Sequence, residues 1–153
     1  MVSCPDEVWF DAEMNSPRQT VSTFLAAYGV ALVVMGLLDA IWLGWLAIGF
    51  YRHELGTLMT DSVRVVPAAL YYIGYPAAIV FLALTPKPGS LGSAALRSAV
   101  LGAAAFGVYD LTNLATLRDY SLSMTVVDIA WGMFASAAGG SAAYKLVIAR
   151  RTR

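Results

Sequence analysis

One cysteine and one histidine in 153 residues leave almost nothing from which to build a disulfide, a zinc site or a haem site. Cys4 lies in a polar segment without an aliphatic, lipidation-type context, and His53 stands between Arg52 and Glu54 in a charged connection. The sequence also has no phosphate-cradling glycine loop, no serine-nucleophile motif and no metal-spaced pair of histidines or cysteines. It therefore offers no recognisable catalytic motif and no nameable cofactor. Charge is scarce as well, 13% of residues with a formal net charge of zero, and the ten basic residues gather into no patch of the kind that grips nucleic acid. What is abundant is hydrophobic side chain, 59% of the chain with a mean hydropathy of +0.66, too apolar for a soluble domain of this size.

The apolar residues fall in four runs, each near or above the ~20 residues that cross a hydrocarbon core of ~30 Å as a helix. The spacing predicts helices over about 24–50, 65–84, 91–117 and 124–148, an all-α integral membrane protein with four transmembrane helices in a bundle over 23–149. Charged or turn-forming stretches separate them: YRHELGTLMTDSVR, TPKPGS and RDYSLS. Pro67 suits the first turn of the second helix, and Pro76 within it removes a backbone donor and predicts a kink. Residues 1–22 carry Asp6, Glu7, Asp11 and Glu13 against Arg18 alone, the reverse of a signal peptide's basic start. They read as an acidic extension with a short interfacial helix around Val8, Trp9 and Phe10, ahead of an uncleaved first span. Residues 150–153 read as a basic tail that anchors topology at an anionic leaflet.

Four spans put both termini on one side. With the termini inside, the inner segments hold seven basic residues (Arg18, Lys87, Arg97, Lys145, Arg150, Arg151, Arg153) against three outside (Arg52, Arg64, Arg118), which predicts cytoplasmic termini. Asp39, Asp110 and Asp128 then all fall in the outer half of the bilayer. An aspartate there is costly, about 2.5–3.5 kcal/mol at a helix centre on insertion scales, so it turns to a bundle interior or a cavity and marks function.

Each of these carboxyls has a large hydrogen-bonding residue three positions on, on the same helix face: Asp39 and Trp42, Asp110 and Asn113, Asp128 and Trp131. The first and last spans agree further, MGLLDAIW against MTVVDIAW, in opposite membrane directions. Small residues recur every fourth position at Gly36, Ala40 and Gly44, at Ala95, Ala99, Ala103 and Gly107, and at Gly132, Ser136 and Gly140, rows that permit close helix approach. Thr112, Asn113 and Thr116 are available as partners for the carboxyls, and Tyr71 and Tyr75 share a face that can line the same site. Two readings stand side by side. The carboxyls either fix helix register through hydrogen bonds, worth only about 0.6 kcal/mol each on average in membranes, or they line a polar pocket for a small molecule, a lipid headgroup or a cation.

The strings LDAIWLG at Leu38 to Gly44, YDLTNLATLRDY at Tyr109 to Tyr120 and VVDIAWG at Val126 to Gly132 resemble a bacterial membrane family catalogued as domain of unknown function 2177. The resemblance covers about Phe24 to Ala149. It implies a four-helix membrane bundle with Asp39, Trp42, Asp110, Asn113, Asp128 and Trp131 as signature positions, and it implies no activity. The acidic extension departs from the family's compact pattern and suits docking onto another protein. Rivals to the pocket are an accessory subunit of a larger membrane complex, a dimeric proton-coupled transporter, and an intramembrane enzyme holding a divalent cation on the carboxylates. The expected partners are the lipid bilayer and either a membrane protein or a second copy.

Overall fold

The structure is a computed structural model, and it describes residues 17–60 and 62–150, with side chains from Thr20 onward. The expected interfacial helix at Val8, Trp9 and Phe10, Cys4 and the arginines at 151 and 153 lie outside the described residues. Among those described, secondary structure is helical without strands: α1 (Pro17–Ile41), α2 (Ile48–Leu55), α3 (Val65–Ala78), α4 (Leu91–Thr116) and α5 (Leu122–Ala143). Wide π-helical turns extend α1 through Trp42–Leu46, α3 through Ile79–Ala83 and α5 through Tyr144–Ile148. Four helices are long and apolar enough to cross a membrane, at Thr20–Leu46, Val65–Ala83, Leu91–Thr116 and Leu122–Ile148.

The local chemistry explains the ends. Gly56, at φ +48°, closes α2 in the left-handed region that favours glycine. Ser90 and Ser121 cap α4 and α5, their hydroxyls accepting from the amides of Ser93 at 3.1 Å and Met124 at 3.0 Å. Pro76, buried inside α3, has no N–H to offer the Tyr72 carbonyl, and the backbone widens a few residues later at Ile79, whose carbonyl accepts from the Leu84 amide at 3.2 Å.

The distribution of side chains is the reverse of a soluble domain. Leu37, Leu70, Phe81, Leu96, Val108 and Val126 are exposed, whereas the interior holds alanine, serine, glycine and carboxyls. Large aliphatics facing outward suit lipid, and small residues inward let backbones approach. The helix α5 is central: it packs most extensively on α4, next on α1, and it meets the end of α3.

The rows of small residues that pack inward are shifted by one position from those expected in two helices. In α1 the buried row is Ala27, Ala31, Met35 and Asp39, while Ala40 and Gly44 are exposed and a side-chain carbon added at Gly36 or Gly44 would meet nothing within 4 Å. In α4 the buried row is Ala94, Ser98 and Gly102, with Ala95, Ala99 and Ala103 half-buried beside it, whereas Gly107, the last residue of the expected row, is buried as expected. The period of four was legible, but which of two adjacent rows turns inward is decided by the backbone contacts. A carbon on Gly102 would run into the Gly132 carbonyl and lie 2.7 Å from Ser136 Oγ. In α5 the expected row of Gly132, Ser136 and Gly140 is the buried one.

Candidate functional site

At the end of the bundle opposite the described termini, α1, α3, α4 and α5 converge on the three aspartates. Asp110 is fully buried, Asp39 is 3% exposed, and Asp128, expected to be equally enclosed, is only half-buried because it borders a cavity. Each aspartate was expected to pair with the residue three positions on. The structure crosses the pairs instead. Trp131 Nε1 of α5 donates to Asp39 Oδ1 of α1 at 2.9 Å. In the other direction, Trp42 Nε1 donates to the Tyr51 hydroxyl at 3.3 Å, and that hydroxyl donates to Asp128 Oδ1. Between the two sets the indoles of Trp42 and Trp131 stack, centroids 4.4 Å apart and planes 6° from parallel. The physical reason is that side chains at i and i+3 lie beside one another on one face and point the same way. Here the donors that reach Asp39 and Asp128 arrive from other helices.

Asp110 has a different partner. The Tyr120 hydroxyl donates to its Oδ1 at 2.5 Å, and the carboxyl of Asp128 lies beside it. Its second oxygen is buried without an N–H or hydroxyl donor. The hydroxyls that hold this pair keep their own protons: burial first, and then the bonds to Asp128 and Asp110, push the pKa values of Tyr51 and Tyr120 well above the ordinary 10. Both remain donors at neutral pH.

The other expected residues are placed as follows. Tyr71 lies against Asp39 and lines the cavity, and Tyr72 lies near Asp39 without lining it. Tyr75 stacks on Tyr71 at 5.5 Å but pairs its hydroxyl with Ser136 Oγ at 2.8 Å rather than with a carboxyl. Asn113 approaches Tyr120, not Asp110. Thr112 and Thr116 are exposed and donate to carbonyls of their own helix, Thr112 to Val108 at 2.6 Å and Thr116 to Thr112 at 2.7 Å, so neither serves a carboxyl. Sequence reasoning missed Tyr51, Tyr72, Phe106, Tyr109 and Tyr120. Tyr120 ends the quoted YDLTNLATLRDY string, ten residues after Asp110, and its place there was the one available signal.

Together these residues enclose a cavity of about 260 Å³, lined by Asp39, Asp128, Trp131, Tyr51, Tyr71, Phe106, Tyr109 and Tyr120 with Leu43, Leu55 and Met124. None of the lining residues is basic. Nor do the described residues bring three His, Cys, Asp or Glu side chains into a group able to hold a metal ion.

A second polar junction braces this end. Ser121, while capping α5, donates its hydroxyl to Glu54 Oε2 of α2, and Ser123 donates to the same oxygen at 3.1 Å. The Ser121 bond is the main cause holding the Glu54 pKa below its ordinary value of 4.5. A carboxyl with a depressed folded value adds stability fully above 4.5 and loses it as pH falls through the folded value. The Met124 amide is therefore expected to titrate below pH 4.5 in NMR spectra of the wild type and not in Glu54→Gln. An unchanged titration in that variant would remove Glu54 as the cause.

Compared with known proteins, the chain matches no curated protein and no solved structure. A family model described as Predicted membrane protein (DUF2177) matches residues 24–145.

Proposed function

The chain belongs to the DUF2177 family of predicted membrane proteins, and on that footing we propose that it is an intramembrane binding protein whose carboxyl-lined cavity takes a small polar molecule. The observation that carries this reading is the cavity itself. Asp39 and Asp128, each with an oxygen already engaged by a donor from the protein, border about 260 Å³ of space at the wall of a membrane bundle. Two carboxyls used only to fix helix register would be expected to close on their partners and leave no room. The volume lies just under the ~300–1,000 Å³ usual for drug-sized ligands, so the occupant is small. The positive-inside count orients the cavity toward the outer leaflet, with the termini in the cytoplasm of a bacterial inner membrane.

The test is mass spectrometry on protein extracted gently from its native membrane, recording retained small molecules and co-purifying proteins. One retained molecule is expected, reduced at least tenfold in Asp39→Asn and Asp128→Asn. A molecule retained equally by these variants, or none, would overturn the pocket, and a stoichiometric protein partner would favour the accessory-subunit reading.

The contact between Asp110 and Asp128 favours a second reading, proton-coupled transport. On this reading a cation drawn to Asp128 would displace a proton held between the two neighbouring carboxyls. Proton release on addition of the retained molecule, absent in Asp110→Asn, distinguishes carriage from simple binding.

A further inference from the structure

We propose that the ligand of this cavity is a small organic cation, an ammonium group presented to Asp39 and Asp128 within aromatic walls. This rests on the pocket reading and goes beyond it by fixing the charge and chemical class of the occupant.

Three observations carry it. The first is charge balance. Two carboxyls line the cavity and a third, Asp110, touches one of them from behind, with one oxygen buried and given no N–H or hydroxyl donor. No lysine, arginine or histidine lines the space to answer them. An anion would be repelled there, and a neutral molecule would leave the charge unanswered. A cation satisfies them.

The second is the wall. Six of the eleven lining residues are aromatic: Tyr51, Tyr71, Phe106, Tyr109, Tyr120 and Trp131. Aromatic rings attract a cation through their quadrupoles, and ammonium ligands are recognised by such enclosures. Three of the wall's donors, those of Tyr51, Tyr120 and Trp131, are turned to the protein's own carboxyls and so are not offered to an anionic or acceptor-rich ligand.

The third is the kind of cation. A small inorganic ion needs several oxygens closing on one point, commonly six to eight for calcium. The described residues bring no three such side chains together, and the space is far larger than an ion. A cation that carries its own apolar bulk fits both the volume and the walls.

The experiment compares choline with its uncharged isostere 3,3-dimethylbutan-1-ol on the full-length protein in detergent, read by thermal melting and by saturation of intrinsic tryptophan fluorescence. Sodium and magnesium chloride at matched ionic strength serve as controls. Choline alone is expected to raise the melting temperature and perturb the fluorescence saturably, with at least tenfold weaker binding in Asp128→Asn. Because the isostere comparison uses the wild type, a variant that fails to fold does not decide the outcome. Equal effects of choline and the neutral isostere would overturn the cation assignment and leave the pocket standing. Equal effects of the inorganic salts would overturn its organic character. No effect of either compound would overturn the ammonium class, and the retention experiment above then judges the pocket independently.

Discussion

Gly102→Ala is expected to destabilise the bundle by about 1–3 kcal/mol, the usual penalty for overpacking a filled interior. At this position α4 and α5 are so close that an added carbon would run into the Gly132 carbonyl oxygen and lie 2.8 Å from its carbon. Backbone cannot rotate aside as a side chain can, so the two helices must separate. Separation would disturb the neighbouring contacts of the same seam, where Gly132 faces the Phe106 ring and Gly140 faces Ser98. Gly36→Ala is the matched control. It adds the same methyl where nothing lies within 4 Å, and its helix propensity favours alanine by up to about 1 kcal/mol. Unfolding of the two variants by SDS titration in mixed micelles separates the effects. Equal midpoints for Gly102→Ala and wild type would mean that α4 and α5 are not packed backbone to backbone.

Tyr120→Phe is expected to cost about 1–3 kcal/mol, because it removes one hydroxyl from a carboxyl that has no water to turn to. Asp110 is fully buried, and its Oδ1 accepts from Tyr120 at 2.5 Å. Among the described residues, the other polar group beside it is Asp128, itself a carboxyl. The cost belongs to the orphaned acceptor rather than to the lost ring contact, so it should nearly vanish in an Asp110→Val background, where no acceptor remains. A double-mutant cycle measures that difference directly. If Tyr120→Phe were as harmful in the valine background, the tyrosine would be acting through packing alone. The alkaline limb gives an independent check. A raised tyrosine value contributes stability that is complete below the ordinary 10 and is lost as pH rises toward the folded value, so Tyr120→Phe should flatten the loss of stability above pH 10.

The membrane bundle was legible in the sequence because its signals are long and redundant. Four apolar runs with polar breaks leave few alternatives, and a lone aspartate among aliphatic residues announces a site wherever it falls. The same logic found Asp39, Asp110 and Asp128. It did not find how they are served, since that depends on facing helices. Trp42 and Trp131 were expected to attend the aspartates of their own helices, and the rotation of α1 against α5 hands each to the other side. Tyr51 and Tyr120 sit at span ends, where tyrosine is so common at a membrane interface that it carries no special signal. The small-residue rows show the same limit. A period of four was visible at Gly36, Ala40 and Gly44, yet the row one position earlier, containing Met35 and Asp39, faces the interior. Sequence gives the period directly, but its phase is set by neighbours distant in the chain.

The crossed arrangement of the two indoles has a consequence for how the protein is made. The indole that holds Asp39 belongs to residue 131, and the carboxyl that meets Asp110 belongs to residue 128, both in a span that leaves the ribosome after α1 and α4. Until that span enters the bilayer, Asp39 and Asp110 wait in lipid without these partners. A chain interrupted before α5 would therefore leave these carboxyls unmet in the membrane, so the contacts that gather the three aspartates also distinguish the assembled bundle from a truncated one.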